Sequence, residues 1–226
     1  MELNNLHIFI LFAICANFLF SCKEENHQKY QSTPSENEIL ELPYFSSEDF
    51  TPQWTKGEHK IPSFSFVNQN GQQITNETYK GKIYIADFFF TTCPGICPKL
   101  TQNMRILQNT YEDDPSIMLL SHTVMPWFDT VEVLHEYAVK NEVQRNKWNL
   151  VTGDKKDIYR LARNGYFVDN DQPLEKDIEN DFIHTENLFL VDNEGYIRGL
   201  YNGTLEIDIQ RLKRHIAILK KKEQHI

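Results

Sequence analysis

The stretch KIYIADFFF, residues 82–90, constrains this chain most. It is a continuous apolar and aromatic run, the pattern of a central strand buried on both faces. Such a strand needs partners along both edges and a covering layer on each face. SIMLLSHTV (116–124) and KWNLVT (147–152) read as further buried strands. PKLTQNMRILQNTY (98–111) has helical spacing, with Leu100, Met104 and Leu107 on one side. DTVEVLHEYAVKNEV (129–143) opens with Asp129 and carries Glu132 three residues on, a capping-box pattern, with Val133, Leu134, Tyr137 and Ala138 as its apolar face. DKKDIYRLARNG (154–165) reads as a short helix opened by Asp154 and closed by Gly165. SFSFVNQNGQQIT (63–75) alternates around Asn70-Gly71 as a hairpin does, and NLFLVDNEGYIRGLY (187–201) gives two strands around an Asn-Glu-Gly turn. A last amphipathic helix carries Ile209, Leu212, Ile216 and Leu219. Strands alternating with helices predict an α/β fold: a central, mixed, largely parallel β-sheet flanked by helices, with an N-terminal β-hairpin.

The 226 residues suffice for one domain with extras, and 40% hydrophobic residues suffice for its core. A net charge of −9 and the lack of a basic stripe exclude nucleic acid as the expected partner. The single basic cluster, LKKK at 219–222, suits a solvated helix end. Residues 6–20, LHIFILFAICANFLF, are short for a bilayer-spanning helix. They run into Ser21-Cys22 and then a polar tract, and LFSC (19–22) resembles a bacterial lipoprotein lipobox. That resemblance implies a signal peptide over 1–21, cleavage before Cys22 and lipidation of its sulfur. The departure is MELNN, which lacks the usual Lys or Arg and leaves an uncleaved signal anchor as the alternative. Either way the remainder is expected to be extracytoplasmic, on the periplasmic side, and held to a membrane. Residues 22–55, rich in Glu, Ser, Asn and Gln, read as a flexible tether, and 56–226 as the folded domain.

Of the four cysteines, Cys15 and Cys22 belong to export, so the domain keeps only Cys93 and Cys97. They sit in TTCPGICP, directly after the central strand, where open α/β sheets place their sites. A disulfide across so small a loop contributes little stability, which favours a chemical role. Pro98 fits the first position of the following helix, whose N-terminus lowers a thiol pKa. Two thiolates suit soft Cu(I), and a third ligand defines a site. His59 precedes the expected fold, His135 reads as solvated, and His215 and His225 lie in the last helix and tail. His184, at the mouth of a strand after an acidic stretch, and His122, near the end of its own strand, remain as candidates. In a thioredoxin-like sheet the strand start at His184 lies beside the cysteine loop.

TTCPGICPKLT, SHTVMPWFDTVEVLHEYA and FIHTENLFLVDNEGYIRGLY together resemble the Sco (SenC/PrrC) family, over about residues 61–222. The resemblance implies a thioredoxin-like fold and a membrane-tethered copper protein. Copper, as Cu(I) and also Cu(II), would be held by Cys93, Cys97 and His184. The expected role is delivery of copper to the CuA site of cytochrome c oxidase, with oxidase subunit II or another copper or thiol acceptor as partner. Many family members carry an Asp in a Val-Asp-Pro sequence where this chain has Met125, a soft thioether that is a further candidate contact for Cu(I). The alternative is a thiol–disulfide oxidoreductase acting through Cys93 and Cys97 as a redox pair, for which His184 is dispensable. Against general disulfide exchange stands the lack of any proline after Pro173, where such enzymes carry one before the strand facing the cysteines.

Overall fold

The computed structural model describes residues 41–168 and 183–223. Residues 1–21, read as a signal peptide, Cys22, Pro173, His225 and the acidic stretch before His184 lie outside the described residues. Among those described, no helix is long and apolar enough to cross a membrane.

A hairpin of β1 (Ser65–Asn68) and β2 (Gln73–Thr75) opens the fold, turning at Gly71, whose φ of 73° lies in the left-handed region that glycine adopts without steric cost. A single helical turn α1 (Asn76–Tyr79) leads to β3 (Ile83–Phe89). Then follow α2 (Cys97–Thr110), β4 (Ile117–Thr123), α3 (Val131–Lys140), β5 (Trp148–Thr152) and α4 (Lys155–Tyr166). The antiparallel pair β6 (Asn187–Val191) and β7 (Ile197–Asn202) precedes the last helix α5 (Glu206–Glu223). Seven strands form one sheet in the order β2-β1-β5-β4-β3-β6-β7. β3, β4 and β5 are parallel, while β1 and β6 join them antiparallel, so the sheet is mixed as the element order predicts. It is not largely parallel: among the described residues four of its six strand pairings are antiparallel, because a hairpin pairs onto each side of the parallel core.

Side chains alternate across β3 because successive Cβ atoms point to opposite faces. Ile83, Ile85 and Phe89 pack with Leu100, Met104 and Leu107 of α2, Leu134 and Ala138 of α3, and Leu212 and Ile216 of α5. Tyr84, Ala86 and Phe88 pack on the other face with Ile158, Leu161, Ala162 and Tyr166 of α4. Three helices thus cover one face, and α4 with Ile61, Phe64 and Tyr79 covers the other. This two-sided cover explains why β3 is apolar at every position but Asp87.

Three local readings are corrected. Asp129 does not open α3: Thr130 is its N-cap and accepts from the Val133 N–H. Gly165 lies inside α4, and the chain leaves the helix at Phe167, whose φ of 56° is left-handed. The folded body also begins before residue 56. Leu42 is buried, Tyr44 pairs with Gln53, and Phe45 pairs with Ile197 at the start of β7. Arg198, itself buried against Asp192, donates to the Leu42 and Pro43 carbonyls and so fastens this incoming strap.

Candidate metal centre

The cysteine loop leaves the end of β3 and turns into α2 at Cys97, one residue before the expected start. Pro98 follows within the first turn, where its missing N–H costs nothing. No side chain caps α2. The N–H groups of Gly95, Ile96 and Cys97 instead face the Cys93 sulfur, and the two thiols are hydrogen-bonded to one another. Burial pushes the Cys93 thiol up, but the hydrogen bond from Cys97 and those three N–H groups outweigh it, leaving the pKa below its ordinary value. Cys97 is buried at the base of the loop, and burial followed by the neighbouring Cys93 sulfur pushes its pKa up to about 12. Both cysteines are free. The pair is therefore unequal: half-buried Cys93 is the more acidic and more accessible thiol, and Cys97 beneath it holds its proton more tightly.

His184 stands at the same pole. Pairing of Ala86 with Phe189 sets the start of β6 beside the end of β3, and buried Ile183 anchors the segment just ahead of His184. The Phe90 ring meets the exposed His184 imidazole edge-on at 6.1 Å between centroids, while the Phe90 N–H points at the Cys97 sulfur. Phe90 thus touches both the histidine, through its ring, and Cys97, through its N–H. Among the described residues no three His, Cys, Asp or Glu side chains already form a metal-holding group, so the structure brings the two cysteines together and leaves His184 outside their group, against the Phe90 ring.

His122 lies one residue before the end of its strand, at this pole but on the opposite face from Cys97. It is wholly buried, stacked on Phe88 at 5.1 Å and edge-on to Phe64 and Phe66, and neither ring nitrogen has a hydrogen-bond partner. Burial alone pulls its pKa down to about 3. It belongs to the aromatic core and not to the centre. His59 is stitched into the fold by a 2.9 Å contact between Nε2 and the Gly165 carbonyl, His135 Nδ1 lies 3.2 Å from the Gln69 carbonyl, and His215 meets the Tyr201 hydroxyl at 2.7 Å. Met125 is half-buried in the turn between β4 and α3, its N–H bonded to the Thr123 hydroxyl at 3.0 Å.

Two acids beside the centre escape a reading by motif. Asp87, the one charged residue inside the apolar run, is buried on the α2 face, and burial pushes its pKa up to about 7 despite the hydrogen bond from Ser121. The Trp148 indole N–H in turn donates to that Ser121 oxygen at 2.8 Å. Asp129 is wholly buried and receives the Thr91 N–H at 3.2 Å and the Thr91 and Thr123 hydroxyls. An acid at a helix start suggests a cap, and only the three-dimensional contacts reveal the other use.

The family model described as SCO1/SenC matches residues 52–219. A protein of Stutzerimonas stutzeri with the provisional name of copper-binding protein is 32% identical over 158 residues, 69% of this chain and 76% of its own length. A SCO1/SenC family lipoprotein from Bacillus anthracis has the same fold with a TM-score of 0.62, at 29% identity over 72% of this chain and 95% of its own. BsSco, described as a Sco-family cytochrome c oxidase assembly protein with a disulfide switch, superposes with a TM-score of 0.59 at 25% identity over 71% and 93% of the two chains.

Proposed function

Because the chain belongs to the SCO1/SenC family, we propose that it binds copper at Cys93, Cys97 and His184 and passes the ion to an oxidase-assembly acceptor. The observation that carries this reading is the pair of free thiols at the mouth of the sheet, one half-buried with a lowered pKa and one buried with a raised pKa, and an imidazole that meets the Phe90 ring beside them. Two sulfurs and one imidazole nitrogen suit Cu(I) and also hold Cu(II). Copper is cargo here: Cys93 is placed to take it, Cys97 to give up a proton and close on it, and His184 to complete the set. The acceptor would be the CuA site of oxidase subunit II or another copper or thiol acceptor. We assign Cys22 as the lipid-bearing anchor on the periplasmic side of a membrane. What supports that assignment is the LFSC sequence at 19–22, which resembles a lipobox.

The test is titration of Cu(I), against a competing chelator, into reduced protein and its His184→Ala variant. The expected result is at least tenfold weaker binding in the variant; equal affinity and equal spectra would refute the histidine's role. A second reading, a thiol–disulfide oxidoreductase, is favoured by the unequal thiols, which suit attack by Cys93 and resolution by Cys97. It predicts that the same variant keeps full reductase activity toward an oxidised dithiol.

A further inference from the structure

We infer that Asp129 is the positioning residue of the cysteine loop, acting through Thr91. The inference deepens the copper reading and rests on it. The ladder between β3 and β4 ends where the Val124 N–H bonds the Phe89 carbonyl at 2.8 Å. Beyond that point Thr91, two residues before Cys93, has no strand partner for its N–H. Asp129 supplies one: its carboxylate takes both the N–H and the hydroxyl of Thr91, at 3.2 and 2.5 Å, and the Thr123 hydroxyl as well. The side chain is 0% exposed, so these donors carry the whole cost of burying a carboxylate.

Asp129 is itself held in place. Its N–H and that of Phe128 both bond the Met125 carbonyl, at 2.8 and 2.9 Å, and the Met125 N–H bonds Thr123. The 123–129 turn and the base of the cysteine loop are thereby one rigid piece, with Met125, Trp127 and Phe128 on its outer side. Starting α3 does not require Asp129, because Thr130 caps that helix. What the carboxylate fixes is the direction in which the chain leaves β3, and hence where the two sulfurs stand. Two thiols can share one metal ion only within a narrow separation, so loosening this clamp weakens the reduced, metal-ready arrangement relative to the disulfide.

The test compares wild type with Thr91→Val, Thr91→Ser and Asp129→Asn in the full chain. Two quantities are read: Cu(I) affinity by chelator competition, and the potential of the Cys93–Cys97 couple in glutathione buffers, in which two electrons and two protons convert the disulfide to two thiols. Thr91→Val and Asp129→Asn should each bind Cu(I) about tenfold more weakly, the effect of losing a hydrogen bond to a charged group. Their couples should shift to more negative potential by a similar factor, about 30 mV. Thr91→Ser, which restores the hydroxyl, should match wild type in both. A change in either quantity with rescue by Ser supports the clamp. Unchanged affinity and potential in folded Thr91→Val, whatever its melting temperature, would overturn it and leave Asp129 with a purely structural role. Should Asp129→Asn fail to fold, the Val and Ser pair at Thr91 decides. Should wild type not bind Cu(I), the copper reading fails, while the potentials still judge the clamp.

Discussion

His122 and Asp87 are buried on opposite faces of the sheet and pull the pH response in opposite directions. His122 falls from 6.5 to about 3 through burial, so its contribution is complete above pH 6.5 and is lost as pH falls toward 3. Asp87 rises from 3.8 to about 7, again through burial, so its contribution is complete below pH 3.8 and is lost as pH rises through 7. Between about pH 4 and 6.5 the two offset. Urea unfolding at several pH values should show this. Relative to wild type, His122→Leu should gain stability as pH falls through that window, by up to about 1.4 kcal/mol per pH unit, and Asp87→Asn should lose it. At pH 7, His122→Leu should also be about 1–3 kcal/mol more stable, since it removes a buried ring N–H without a partner. A His122→Leu profile parallel to wild type would mean that His122 finds a proton acceptor in solution. The sequence places His122 at the correct pole of the sheet, but strand pairing decides the face: Phe88 lies opposite it, and Phe88 points away from α2.

The elements themselves were legible because their signals are local. Alternation around Asn70-Gly71, the apolar runs of β3 to β5 and the 3.6-residue spacing of α2 and α5 each reflect burial on a face the chain determines by itself. The misread boundaries share one cause. Asp129 and Thr130 are both good caps, and nothing local says that the first is needed 38 residues away at Thr91. Gly165 looks like a helix stop, but it is buried inside α4, where a Cβ would stand 3.0 Å from Pro62 and from Leu161. Close approach also explains Gly203, after β7. A Cβ there would sit 2.2 Å from Leu100 of α2 and 3.1 Å from the Glu186 carbonyl, two residues past His184. Gly203→Ala should therefore cost about 1–3 kcal/mol in urea unfolding, with the amide signals of residues 184–188 and of the first turn of α2 shifted most. Unchanged stability would show that α2 can retreat from β6 without loss.

Across the whole molecule, the sheet separates the end where the strap is fastened from the end that carries the cysteine loop. Leu42, Phe45 and Phe50 pack onto the body, and Arg198 loses two carbonyl acceptors if the strap is removed. A chain starting at residue 56 should be less stable than one starting at residue 40 by about 3 kcal/mol or more, by urea unfolding. Equal stability would mean that the strap is mere tether. At the other end, Cys93 and Cys97 were legible from spacing and from the assignment of the other cysteines to export. Their inequality was not, because it arises from which sulfur the start of α2 faces. If the copper reading holds, this pole takes copper only as the dithiol. Metal analysis of the purified chain, loaded with Cu(I) and desalted, should then find one copper per reduced chain, and none after Cys93 and Cys97 are oxidised to a disulfide. Equal copper in both forms, or none in the reduced one, would contradict it.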